Sequence, residues 1–387
     1  MSRYLSYVWN SQKILEAYKA ELPFAIYLKK YFTQNKKFGS KDRKAIAQCC
    51  YAWLRCSFLF QQACNSQNLI AALFLCNHES GDLLLQLDAA LHQKMDWPLA
   101  DKLHHLGLKS EDVFPYKHLL GEIDADAWAQ SFFEQPRLFL RIRPGKEDAV
   151  VTKLNAAAVP FIMEGNACLS LNNGSRVDEW LRLDVDAVVQ DKSSQQVLEP
   201  LKKIALPATG MLDVWDCCAA SGGKSILLYD VLKTKLRLTV TDIRASILHN
   251  CRQRLQRARI PIHQALVADV SRPHAIPADQ QFDVVICDAP CSGSGTWSRT
   301  AEQLAYFDEQ SIASFFVLQT SIALNTYPYL KTGGILLYIT CSVFKKENED
   351  VLEHIVNQTS LRLLHYGYIT GYTSKADTMF VAIFQKN

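Results

Sequence analysis

From about residue 196 onward the chain alternates short apolar runs with helical stretches, and no other feature constrains its fold as strongly. "MLDVWD" (211–216) reads as a strand, and "KSILLY" opens a helix. "RLTVTD" (237–242) is a second strand and "RASILHNCRQRLQRA" (244–258) a second helix. "HQALVAD" (263–269) and "FDVVICD" (282–288) follow, each ending on Asp, then "GGILLYITCS" (333–342) and a closing "SKADTMFVAIFQ" (374–385). Strands interleaved with helices predict an α/β domain over 196–387, a Rossmann-like, doubly wound and mostly parallel seven-stranded sheet. Ligands of such sheets sit outside the carboxyl ends of the strands, so the residues that end each strand are the candidates for function.

Upstream the pattern differs. Residues 1–125 show helical spacing: in "SKDRKAIAQCCYAWLRC", with Ser40 as the expected N-cap, Ile46, Cys49, Cys50, Trp53 and Leu54 fall on one face. Residues 126–195 form a small α/β unit, with strands at "RLFLRIRP" and "ACLSLN" and a helix at "EDAVVTKLNAAAV". Strand alternation puts Arg137, Arg141 and Arg143 on one sheet face, a platform for nucleic acid unless Glu134 or Glu147 pairs with them. The stretch 29–44 carries seven Lys/Arg against one Asp, with Tyr31, Phe32 and Phe38 between them. It can follow a phosphate backbone or be a solvated helix end.

Composition excludes several classes. The 387 residues are 49% hydrophobic and 21% charged, with net charge +3, an ordinary globular balance. The longest clean apolar run, 69–76, is too short to span a bilayer, and the N-terminus lacks the apolar region of a signal peptide. Twelve cysteines, two pairs of them adjacent, in a chain of this length point to free thiols in a reducing cytoplasm. A monomer is favoured, and no membrane or metal partner is expected. Cys287 and Cys291 have no second pair or histidine at zinc spacing.

"DCCAASGGKS" (216–225) links the first strand to its helix and ends like a phosphate-binding loop. That loop needs glycine five residues before Gly223, and the residue there is Cys218. A P-loop-like ATPase therefore stays open as an alternative only. An adenosyl ligand suits the turn better. Asp242, about twenty residues past the glycines, can accept both ribose hydroxyls, Asp269 can accept from an adenine edge, and small residues at 219, 220, 222 and 223 permit close approach.

"ICDAPCSGSG" and "YITCS" then put Asp288, Cys291 and Cys341 at the same sheet edge. A thiolate and an acid beside a methyl donor suit methylation of a pyrimidine at carbon 5. Thiol addition to carbon 6 makes carbon 5 nucleophilic, and an acid at ring nitrogen 3 stabilises the developing charge.

These segments resemble the Sun (Fmu) family of RNA cytosine-5 methyltransferases. "DCCAASGGKS" is similar to its methyl-donor loop, "DAPCSGSGT" to its Asp-Ala-Pro-Cys segment, and "YITCSVFKKENEDVL" to its Thr-Cys-Ser and Glu-Asn-Glu segment. "QDKSSQ" (190–195) resembles the stretch preceding its catalytic domain, and "GSKDRKAIAQCCYAWLR" more faintly the helical RNA-binding domain of its ribosomal-RNA members. The resemblance implies S-adenosylmethionine as cofactor and RNA as substrate, ribosomal RNA ahead of transfer RNA. It implies Cys341 as nucleophile, Cys291 as the thiol that assists release, and Asp288 as the contact to the cytosine and the cofactor. Cys218, Ala219, Ala220, Ser221, Gly222, Gly223 and Lys224 would line the methionine portion, with Asp242 at the ribose and Asp269 at the adenine. An RNA-binding assembly factor without turnover is the remaining alternative. Two positions depart from the family: Ser221 stands where proline is usual, and "WSRTAEQLAYF" (297–307) replaces an Arg-Arg-Asn-Pro-Asp-like run, leaving Arg299 to meet a phosphate.

Overall fold

The structure, a computed structural model, describes residues 2–76, 82–206, 210–232 and 235–387, with the Lys235 side chain left out. The chain divides into two compact units, Met1–Leu120 with Asp124–Gln135 and Thr296–Asp308, and Gly121–Ile123 with Pro136–Gly295 and Glu309–Asn387.

The first unit is helical. Its longest helices are Arg3–Ala17, Phe24–Gln34, Ser40–Cys56 and Ser66–Cys76. In the third, Ile46, Cys49, Cys50, Trp53 and Leu54 are all buried, as their spacing predicts. Its N-cap is Gly39 rather than Ser40, because Asp42 reaches back to accept from the Gly39 N–H at 2.8 Å. The segment Thr296–Asp308 returns into this unit. Trp297 is fully buried against Phe114, Trp128 and Phe307, with ring centroids 5.9, 6.0 and 5.0 Å away. Glu302 accepts from the Phe24 N–H at 3.1 Å. The departure over 297–307 is thus a packing segment whose aromatic residues complete a helical core. Arg299 is half-buried and already has an interaction partner.

The second unit holds two sheets. The smaller is antiparallel and contains β1 (Leu138–Ile142), β2 (Ile162–Met163), β3 (Cys168–Leu171) and β4 (Ala187–Val189), in the order β2-β3-β1-β4. The larger contains β5 (Met211–Asp216), β6 (Lys235–Asp242), β7 (Ile262–Val267), β8 (Phe282–Asp288), β9 (Leu330–Thr340), β10 (Leu361–Ile369) and β11 (Met379–Lys386). Its order is β10-β11-β9-β8-β5-β6-β7, with β5 to β9 parallel and β10 and β11 antiparallel. The doubly wound architecture expected from the strand–helix alternation is therefore present. β8 is buried from Phe282 to Cys287, and its central Val284–Cys287 run is apolar because both sheet faces are covered by hydrophobic cores. The chain winds outward from β5 through β6 to β7, then crosses back to β8. The carboxyl ends of β5 and β8 thus flank the switch point where such sheets take ligands.

The arginines around β1 do not form an open platform. Arg141 is buried and ion-paired to Asp230 of helix Gly223–Leu232, and its Nε donates to Gln190 at 2.8 Å. Arg143 joins the same carboxylate at 2.9 Å, while Arg137 donates to Ser170 at 2.8 Å. The expected acids, Glu134 and Glu147, are not the partners of Arg141 and Arg143. A buried carboxylate is costly unless neutralised, and Asp230 draws the arginines inward.

Candidate active site

A cavity of about 450 Å³ opens at the carboxyl edge of the large sheet. Cys218, Ala220, Asp242, Asp269, Asp288 and Cys291 line it, and Leu318 and Ile322 of helix Gln310–Thr326 add apolar wall. Six of the residues singled out from sequence thus come together.

Asp242 is buried and charged. Burial works to raise its carboxyl, but hydrogen bonds from the Arg244 side chain and N–H and from the Ala220 N–H hold it below the usual value. Those bonds are 3.0, 2.9 and 3.1 Å. Asp269 lies two residues beyond the end of β7 and accepts from the Ser271 N–H at 3.2 Å.

The loop between β5 and its helix divides in function. Cys218 and Ala220 face the cavity; Ala219, Ser221, Gly222, Gly223 and Lys224 are not among its lining residues. Gly222, at φ 80°, holds a backbone conformation that strains any side chain, and a Cβ there would crowd Cys251 Sγ at 3.0 Å. The Ser221 hydroxyl accepts from Arg254 at 2.8 Å, which gives serine a role that proline could not fill. Lys224 is buried, donates to Ser194 at 2.8 Å and lies 3.1 Å from Asp288. A phosphate-loop lysine must offer its ammonium to phosphate, and this one is committed to a carboxylate and a hydroxyl.

Cys291 and Cys341 approach to 3.4 Å between sulfurs. Hydrogen bonding with Cys341, then burial, then the Glu347 charge push the Cys291 thiol well above its usual value. The two cysteine-bearing loops are tied by Glu347, which accepts from the Ser292 N–H at 2.8 Å, Gln319 Nε2 at 2.9 Å and the Ser342 hydroxyl at 2.8 Å. Gly295 closes the same junction. Its N–H donates to the Cys341 carbonyl at 2.8 Å, and a Cβ would collide with the Thr378 carbonyl.

Sequence reasoning passed over Ser194, Glu347, Gln319 and Asp216. Ser194 and Glu347 stood inside segments already singled out, whereas Gln319 carries no local signal. Asp216 ends β5 just as Asp242 ends β6, a signal that was there to read. Its Oδ2 accepts from Ser225 at 2.6 Å, and its buried Oδ1 has no hydrogen-bond partner. Burial, reinforced by Asp288 and Asp242, raises this carboxyl from 3.8 to about 7 against the opposing pull of Ser225 and Lys224.

A raised acid stabilises the fold most below its unfolded value. Its contribution is complete below about pH 4 and declines as pH rises to and through about 7, because the unfolded chain gives up a proton that the folded chain retains. Wild-type Tm should therefore fall across that window relative to Asp216→Asn in matched thermal melts. Parallel pH curves would contradict the assignment.

Among the described residues, no helix is long and apolar enough to cross a membrane, and no group of three or more His, Cys, Asp or Glu is arranged to hold a metal ion.

The doubly wound sheet, with a cavity and acids at its strand ends, defines a class, a Rossmann-like domain. Over residues 204–382 the chain matches the family model for 16S rRNA methyltransferase RsmB/F, and the Sun-family resemblance is borne out over that segment. Ribosomal RNA small subunit methyltransferase B of Xanthomonas campestris pv. campestris is 36% identical over 179 residues, 45% of this chain and 39% of the relative. The match thus spans about two fifths of that protein's length. Among solved structures, PH0851 shares the fold over 99% of this chain and 98% of its own, with a TM-score of 0.70 at 18% identity. NSun6 from Pyrococcus horikoshii, solved with SFG, shares it over 70% of this chain and 96% of its own, with a TM-score of 0.59 at 13% identity.

Proposed function

We propose that this chain transfers a methyl group from S-adenosylmethionine to carbon 5 of cytosine in RNA, with ribosomal RNA as the substrate class. The observation that carries this reading is the thiol pair, Cys291 and Cys341, 3.4 Å apart, with Cys291 and Asp288 both in the wall of the strand-end cavity. The substrate class rests on the small-subunit RNA methyltransferases that the catalytic segment resembles.

The residues present fit the cofactor. Asp242 holds a charged carboxylate at the end of β6 for ribose hydroxyls, and Asp269 stands beyond β7 for the adenine edge. Leu318 and Ile322 offer apolar cover, while Cys218 and Ala220 line the same cavity. When bound, S-adenosylmethionine supplies an electrophilic methyl group on a sulfonium. Ala219, Ser221, Gly222 and Gly223 shape the turn from behind, and Lys224 fixes the Asp288 carboxylate.

Cys341, directly after β9, is the nucleophile. Its thiolate forms a bond to carbon 6, and the ring electrons pass to carbon 5, which accepts the methyl. We assign Asp288 to ring nitrogen 3, where it must bring a proton as negative charge develops, with the Lys224 ammonium 3.1 Å from its carboxyl. The carbon-5 proton then leaves to a base, the bond to Cys341 breaks and the ring double bond returns. Cys291 keeps its proton at neutral pH and is close enough to pass it to the departing sulfur. Lys224 is bonded away from any phosphate, which leaves the ATPase alternative without its principal ligand.

Bisulfite sequencing of ribosomal RNA from cells with and without this protein tests the reading. At least one cytosine in small-subunit RNA should resist conversion only when the protein is present, and identical conversion maps would refute it.

A further inference from the structure

A second cavity, of about 540 Å³, lies far from the strand-end site. Helix Gly223–Leu232 starts at the carboxyl edge of the sheet and runs back, and Tyr229 and Asp230, near its far end, line this cavity. So do Arg257 and Arg259, which end and follow helix Ala245–Arg257. The cavity therefore opens at the opposite edge of the large sheet, where the small sheet meets it.

Its wall is cationic. Arg143, Lys146, Arg182, Arg257 and Arg259 line it, and Asp230 is the one acid among the lining residues. Three of the arginines have carboxylate partners: Arg143 with Asp230, Arg182 with Asp186 and Arg257 with Asp184. Burial separates the two signs. The Asp184, Asp186 and Asp230 side chains are at most 5% exposed, whereas Arg182 and Arg257 are 65% and 57% exposed. Solvent thus meets guanidinium over buried carboxylate. Each guanidinium has five N–H donors, and neither Arg182 nor Arg257 spends all of them on its partner. Lys146 and Arg259 take no part in these ion pairs. Favourable interaction with a helix C-terminus accounts for Arg257, but not for Lys146 or Arg182 on the small-sheet side.

We propose that this cleft binds the phosphate backbone of the RNA substrate, as a second contact separate from the site of methyl transfer. The inference rests on the RNA-methylation reading and deepens it. Cations contributed by both sheets' elements exceed what a single phosphate group needs and suit a polyanion that follows the groove. Tyr229 adds an aromatic wall beside them.

The test is the double variant Lys146→Gln/Arg259→Gln, which leaves every ion pair to a buried aspartate intact. Its affinity for a 16S rRNA transcript is measured over about 50 to 300 mM salt, with S-adenosylmethionine titration as the check on folding. Loss of two phosphate contacts should lower the slope of log affinity against log salt by about 1.5 and weaken binding roughly tenfold or more. Cofactor affinity should match wild type. Wild-type RNA affinity and slope in the variant would overturn the cleft while leaving the methylation reading intact. Failure of the wild-type protein itself to bind the transcript would overturn both.

Discussion

Cys341→Ala should abolish methyl transfer, with kcat falling about ten-thousand-fold or more, because it removes the thiol to which we assign covalent activation of carbon 5. Cys291 lies within 3.4 Å, and burial still pushes its thiol up once its Cys341 partner is gone. The variant should still fold and bind S-adenosylmethionine, since Cys341 is not among the residues lining the cofactor cavity. Its loop is also held by the Gly295 N–H and by the Ser342–Glu347 bond rather than by the thiol. Transfer of labelled methyl to 16S rRNA and a calorimetric cofactor titration, run in parallel, check both halves. Near-normal transfer by the variant would mean that another group is the nucleophile.

The strand-end residues were legible in the sequence because a parallel strand flows directly into its loop. Once "FDVVICD" and "GGILLYITCS" are strands, Asp288, Cys291 and Cys341 must lie at one edge, and the seven-stranded order brings them together. Asp242 was legible for the same reason. Asp269 proved less exact, since β7 stops at Val267 and the acid belongs to the following turn. What stayed hidden were partners distant in sequence. Arg141 and Asp230, 89 residues apart, pair only once the small sheet packs against the large one. No local pattern distinguishes that outcome from an open arginine face. Ser221 reads as a lost proline until Arg254, 33 residues away, supplies its hydrogen bond. The run 297–307 departs from the family pattern because Trp297 and Phe307 are invested in the helical unit's core, a contact that the strand–helix pattern around them does not announce.

Glu347 shows how the buried network serves the thiols. One carboxylate holds the N–H beside Cys291 and the hydroxyl beside Cys341, so the two sulfurs are positioned from a single point. This arrangement makes sense if the sulfurs act in succession on one base, the first forming the bond and the second assisting its release.

Cys291→Ala separates those two steps. Addition and methylation should proceed, but elimination of Cys341 should slow by roughly a hundredfold or more for want of a positioned acid, leaving protein and RNA covalently joined. The most direct measurement is a denaturing gel of Cys291→Ala incubated with 16S rRNA and S-adenosylmethionine, beside the double variant Cys291→Ala/Cys341→Ala. A retarded protein–RNA band in the single variant that is absent from the double is the predicted result. No such band, or one that survives loss of Cys341, would contradict covalent catalysis by this thiol.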